Sequence, residues 1–259
     1  MLTIPTHWLN AVQPLSIVLI GAGGTGSELL SLLVKQHHTL LRLGDPGYKL
    51  TVFDPDTVSE SNIGRQNFYA CDVGRNKAQT LVGRYNAFAG TAWTAHAEKL
   101  QDGHSRVLAN ADVIFSCTDS PAARTLIGTM GRNQRGPAAS APLWIDGGNS
   151  AHEAQVVMGH WSGAQGRIPN VLDLFPSLAA LPERNEPSCS TEAAIQRQDL
   201  GINTAVAASM ANLLWQLKRH GQVSFHGQYI DLRRGESAPM PISPSAWAAY
   251  GYSDSVVAA

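Results

Sequence analysis

The chain has 259 residues, 44% of them hydrophobic and 15% charged, with a formal net charge of −1. That length suits one large α/β domain or two small ones, and the near balance of charge gives no sign of a nucleic-acid surface. Three cysteines, Cys71, Cys117 and Cys189, fit a reducing compartment better than a disulfide framework.

The first apolar segment, Leu15 to Ile20, is short and β-branched and ends at a glycine, which reads as a buried parallel strand. Gly21-Ala22-Gly23-Gly24-Thr25-Gly26 follows, and Ser27 to Lys35 then carries apolar residues at helical spacing. Strand, glycine turn and helix thus come in the order of a dinucleotide-binding fingerprint. Gly21, Gly23, Gly24 and Gly26 let the backbone approach phosphates, and the free N–H groups at a helix start favour an anion there.

Lys49 to Asp54 reads as the second strand, ending in an acid that can accept hydrogen bonds from a ribose. In a nicotinamide enzyme that acid falls about 20 residues past the glycines. Here the gap is longer, because His37 to Tyr48 is interposed. A polar run from Asp54 to Phe68 then brings Arg65, a planar fork of donors with permanent charge that suits phosphate. A hydride-transfer site has no evident need of it. Lys77 stands at a helix start, Gly74 to Gln79, as a compact cation within reach of phosphates. Asp119 follows the apolar strand Asp112 to Cys117, at the end where open α/β sheets bind ligands, and can hold magnesium.

Beyond it, Pro121 to Gln134 reads as a helix, Leu143 to Asn149 as a strand and turn, and Glu153 to Gly159 as the next strand. Trp161 to Pro187 is Pro-rich and irregular, a long helix runs from about Ile202 to His220, and Tyr229 to Arg233 adds a strand. The apolar stretch around Ala205 to Leu217 is too short and too polar-flanked to span a bilayer. No basic leader with an apolar core precedes the first strand, so we expect a cytoplasmic protein that engages no membrane.

Taken together, Gly-Ala-Gly-Gly-Thr-Gly, the run from Phe53 to Gln66, Val-Gly-Arg-Asn-Lys ending at Lys77, and Ser-Cys-Thr-Asp-Ser around Asp119 resemble the ThiF/MoeB family and the adenylation domains of ubiquitin-activating enzymes. More narrowly, the chain resembles the ThiF-related proteins of the PRTRC gene cassettes of bacterial mobile elements. The resemblance implies an α/β, Rossmann-like fold with a largely parallel sheet and helices on both faces. It implies ATP and magnesium, with the magnesium on Asp119. A carboxylate, on a ubiquitin-like protein's C-terminus or a small acid, attacks the α-phosphate; pyrophosphate leaves and an acyl adenylate remains. It assigns phosphate contacts to Arg65, support of the same loop to Asn62, and places Gln66 and Lys77 beside them. It also implies a domain over 1–234 with a crossover loop at about 161–189, then a Pro/Ser/Ala-rich tail over 235–259. Some relatives carry a catalytic cysteine in that loop, where Cys189 stands; it is either a thioester-forming nucleophile or an ordinary loop residue.

Two departures matter. The paired Cys-x-x-Cys motifs that hold zinc in many relatives are missing, so no structural zinc is expected. The N-terminal arginine segment, often lent across a homodimer, is not found in Met1 to Pro14. Three readings follow: a carboxylate-adenylating enzyme, a nucleotide-binding adaptor without turnover, and an NAD-dependent oxidoreductase. Arg65, Lys77 and Asp119 weigh against the third.

Overall fold

The computed structural model describes residues 1–134, 137, 140–163, 167–182 and 198–253. The chain opens with β1 (Leu2–Thr3), α1 (Thr6–Leu9), β2 (Leu15–Ile20), α2 (Gly24–Arg42) and β3 (Tyr48–Phe53). There follow α3 (Lys77–Ala89), β4 (Thr94–His96), α4 (Ser105–Ala109), β5 (Val113–Ser116) and α5 (Pro121–Arg132). The remainder holds β6 (Leu143–Asn149), β7 (Glu153–His160), α6 (Val171–Leu174), α7 (Ile202–His220), β8 (Gln222–Val223), β9 (Phe225–Asp231), β10 (Glu236–Pro241) and α8 (Pro244–Ala248).

The main sheet has eight strands in the order β10-β9-β7-β6-β5-β2-β3-β4. From β4 to β6 the strands run parallel; β7, β9 and β10 extend the sheet antiparallel. This is the α/β, Rossmann-like arrangement the sequence led us to expect. β2 lies between β3 and β5: the chain steps outward from β2 to β3 and β4, then returns past β2 to β5, so the connections on its two sides run in opposite directions. Their C-terminal ends therefore part and open a crevice, the place where such sheets bind ligands.

Alternation along the buried strands assigns each helix to a face. Ile17 and Leu19 of β2 enter a core with Leu29, Leu30 and Leu33 of α2, Leu81 of α3, and Met210, Leu214 and Leu217 of α7. Val18 and Ile20 point the other way, into a core with Leu108, Ile127, Met130, Leu172 and Trp247. The helix ends have local causes. Asn76 caps α3 by accepting from Gln79 N–H at 3.0 Å, and Ser120 caps α5 by accepting from Ala123 N–H at 3.1 Å.

Some readings change in detail. The long interval before Asp54 arises because α2 continues to Arg42, past the expected Lys35. The described part of the stretch after Trp161 holds regular packing that its composition does not suggest. Trp161 is buried and donates from Nε1 to the Ile127 carbonyl at 2.7 Å, and α6 buries Val171, Leu172 and Leu174. Apolar side chains decide that packing despite the prolines around them. Within the segment read as a tail, β10 pairs with β9, and Trp247 of α8 is buried. Among the described residues, no helix is long and apolar enough to cross a membrane.

Candidate functional site

The glycine turn leaves β2 at the centre of the crevice. Gly21 has φ +92°, and a Cβ there would stand 2.6 Å from the Cys117 carbonyl oxygen. A Cβ on Gly26 would stand 2.0 Å from the Gly21 carbonyl oxygen, and one on Gly24 would strike the Asn203 side chain at 2.6 Å. These three close the turn on its surroundings. Gly23 differs: nothing lies within 4 Å of its Cβ position. It is the N-cap of the 19-residue helix α2. An open surface at a helix N-terminus, with unpaired N–H groups and the positive end of the dipole, fits a phosphate group.

Asp54 follows β3 and is 4% exposed. Its Oδ2 accepts from Ala22 N–H at 2.6 Å and its Oδ1 from Asp56 N–H at 2.8 Å. Burial pushes its carboxyl above the ordinary range; the two backbone donors and the Lys77 charge oppose that without cancelling it. Each carboxylate oxygen keeps a second lone pair for a hydroxyl donor.

The loop after Asp54 is stitched to the starts of two helices. Asn67 N–H donates to Ser27 Oγ at 3.1 Å and Asn67 Nδ2 donates to the Ser27 carbonyl at 3.0 Å, which ties the loop to α2. Asn76 Nδ2 donates to the carbonyls of Asp54 and Asp56 at 2.8 and 3.0 Å, which ties it to α3. Between these anchors, buried Asn62 accepts from Ser59 N–H at 2.9 Å through Oδ1, and its carbonyl accepts from Gln66 N–H at 3.0 Å. Arg65 is half-buried, and its Nε donates to the Ser61 carbonyl at 2.9 Å. Gln66 Oε1 is buried with no hydrogen-bond partner among the described residues, an uncommon state for a polar atom. Lys77 starts α3, is 8% exposed, and pairs through Nζ with Asp56 Oδ2 at 3.0 Å.

Asp119 is exposed, three residues beyond β5 at the same end of the sheet. Among the described residues, no three His, Cys, Asp or Glu side chains stand together as a metal site. A single oxygen donor at the crevice still fits magnesium, which is commonly held by one or two carboxylates together with phosphates and water. Cys189 lies outside the described residues. Cys71 is exposed. Cys117 lies beside Met210, Sγ to Sδ 3.9 Å, and burial pushes its thiol up, which makes it a poor nucleophile.

Sequence reasoning missed three supports. Asn203 of α7 accepts from Thr25 Oγ1 at 3.2 Å and from Asn149 Nδ2 at 3.3 Å, and so joins the glycine turn to β6. Asn67 carried no motif that marked it as an anchor. The third is a buried ion pair: Arg124 Nε donates to Asp146 Oδ1 at 2.9 Å. A charged residue inside each of two apolar segments was the available signal.

The chain is similar to several known proteins in sequence and in fold. The NEDD8-activating enzyme E1 catalytic subunit of Drosophila melanogaster is 31% identical over 185 residues, 67% of this chain and 37% of that protein. Its Caenorhabditis elegans counterpart is 30% identical over 194 residues, 70% of this chain and 41% of that protein. The adenylyltransferase and sulfurtransferase UBA4 of Yarrowia lipolytica is 33% identical over 115 residues, 43% of this chain and 26% of that protein. The chain therefore spans about two fifths or less of these relatives. Among solved structures, PaaA superposes with a TM-score of 0.62 at 16% identity, over 92% of this chain and 67% of that one. E. coli MccB with ATP gives 0.58 at 15%, over the same shares. These two likenesses establish the fold alone. The ThiF family model matches residues 3–235, and on that match the chain belongs to the ThiF family.

Proposed function

We propose that this protein activates a carboxylate with ATP. The carboxylate oxygen bonds to the α-phosphorus, the bond from that phosphorus to the bridging oxygen breaks, and pyrophosphate leaves. The observation that carries this reading is the stitched loop. It is anchored at the starts of α2 and α3 and carries Asn62, Arg65 and Gln66 between those anchors in sequence, while Gly23, the N-cap of α2, is open.

In this reading each residue has a physical task. Gly23 and the first N–H groups of α2 receive phosphate. Asp54 orients the ribose. Arg65 and Lys77 offset the repulsion between an incoming carboxylate and a polyphosphate. Asn62 holds the loop that carries Arg65. Asp119 would hold magnesium, which would supply positive charge to offset that of the phosphates. Asn203 keeps the glycine turn in register with β6. In line with the NEDD8-activating and UBA4 relatives, the substrate class is the C-terminus of a ubiquitin-like protein. The narrower resemblance to proteins of PRTRC cassettes makes small proteins encoded nearby the first candidates. Cys189 then takes the acyl group as a thioester: its thiolate sulfur, having given its proton to solvent, bonds to the acyl carbon, the bond from that carbon to the adenylate oxygen breaks, and AMP leaves.

The test is ATP–pyrophosphate exchange with purified candidate partners. Exchange that depends on the partner's free C-terminal carboxylate is expected. If no candidate supports exchange and the protein still binds ATP, a nucleotide-binding adaptor replaces this reading.

A further inference from the structure

Arg124 pairs with one carboxylate, Asp146, and feels the charge of a second, Asp119. It is the fourth residue of α5, and helical side chains lean toward the N-terminus of their helix, which here is the turn that carries Asp119. Its guanidinium is buried, 8% exposed. Nε donates to Asp146 Oδ1 at 2.9 Å and Nη2 to the Gly147 carbonyl at 3.2 Å. Asp119 also acts on the same cation electrostatically. A guanidinium has five N–H donors, so two bonds leave it able to serve a second acid.

Asp146 is 1% exposed and stands on β6 in register with Ser116 of β5. Ser116 Oγ donates to Asp146 Oδ1 and accepts from Trp144 Nε1 at 2.7 Å. All the donors therefore converge on Oδ1. Oδ2 is buried with no partner among the described residues. A buried carboxylate held through one oxygen stabilises a fold poorly, and an apolar pair of the same volume is often better. Its hold on Arg124, a cation five residues beyond Asp119 in sequence and subject to its charge, offers a reason for its presence.

We infer that Asp146 is a positioning residue: it holds the Arg124 guanidinium on β6 and thereby keeps that cation off Asp119, leaving the Asp119 carboxylate to a divalent cation. This rests on reading Asp119 as the magnesium-holding group. Without Asp146, Arg124 turns to the next carboxylate within reach and competes with the metal for it.

The experiment is calorimetric titration of ATP into the full chain at graded Mg2+, with thermal melting to check folding. Asp146→Asn raises the Mg2+ concentration for half-maximal ATP affinity about tenfold, the scale of a charge-assisted hydrogen bond competing for one group. The double variant Asp146→Asn with Arg124→Met restores it, although the ion pair is gone. A purely structural role would lower the melting temperature and leave the Mg2+ midpoint alone; an unmoved midpoint in a folded Asp146→Asn, or no restoration in the double variant, overturns the inference. If Asp146→Asn does not fold, Arg124→Gln decides: the midpoint stays within about twofold, and a marked rise overturns the inference by making Arg124 a support of Asp119. Wild-type ATP binding that is indifferent to Mg2+ would remove Asp119 from metal binding altogether, a failure distinct from the others.

Discussion

The Ala22 N–H donates to Asp54 Oδ2 at 2.6 Å, across 32 positions of sequence. This bond fastens the glycine turn after β2 to the acid after β3, at the point where the sheet's crossovers diverge. The turn and the acid are thus held as one unit before any nucleotide arrives. Preorganisation of this kind lowers the ordering cost that binding would otherwise carry.

Gly23 and Gly26 separate folding from binding. A Cβ at Gly23 meets nothing within 4 Å, whereas one at Gly26 would stand 2.0 Å from a backbone oxygen. Gly23→Ala should melt within a few degrees of wild type and lose ATP affinity by about tenfold or more, because its methyl occupies the space of a phosphate. Gly26→Ala should lose both stability, by about 1–3 kcal/mol or more, and binding. Thermal melting and calorimetry on both variants check this. Full ATP affinity in Gly23→Ala would move the phosphates elsewhere.

Arg65→Ala and Asp119→Ala should keep the fold and lose adenylation. Both lie outside the two apolar cores, and in the proposed reading both act on phosphate charge. Loss of one such contact costs a few kcal/mol of transition-state stabilisation, or about 100-fold in rate. Pyrophosphate exchange measures it, and a variant at wild-type rate takes its residue out of the site.

Most of the fold was legible because burial leaves a plain mark on sequence. Leu15–Ile20 and Ile202–His220 match their expected spans, since a short β-branched run and a long apolar stripe each fit one structure. The candidate site suggested itself where a residue type has one evident chemical use, as with Arg65 and the glycines. It was opaque where support comes from distant polar pairs. Nothing local marks Asn67 as the partner of Ser27, or Asn203 as the partner of Thr25. Nor does Pro-rich composition disclose that Trp161 and Leu172 enter the core.

Cys189 should matter after adenylation or not at all. Adenylate formation needs neutralised phosphates, whereas transfer needs a nucleophile. Cys189→Ala should retain pyrophosphate exchange and lose a thiol-sensitive adduct with the partner on non-reducing gels. An adduct that survives the substitution reassigns the nucleophile, and active exchange with no adduct in wild type points to direct transfer from the adenylate.

Two buried histidines set the acid limit of stability. Burial pushes His160 and His226 down from 6.5 to about 4. His226 Nε2 accepts from Trp247 Nε1 at 2.9 Å, so a proton there would face a donor. The unfolded chain takes up these protons near pH 6.5 and the folded chain only near 4. Stability present above the first value is therefore lost as pH falls toward the second, by on the order of 3 kcal/mol per histidine at most. Urea unfolding from pH 7.5 to about 4.5 should show the decline. His226→Gln should flatten it, and an unchanged slope would exclude His226 as a cause.

The central claim is that this crevice binds ATP with magnesium. Calorimetric titration of the full chain with ATP in Mg2+, beside NAD under the same conditions, tests it most directly. The account predicts saturable ATP binding that weakens in Gly23→Ala and Arg65→Ala, with NAD binding far more weakly. Tight NAD binding together with no ATP binding would contradict it.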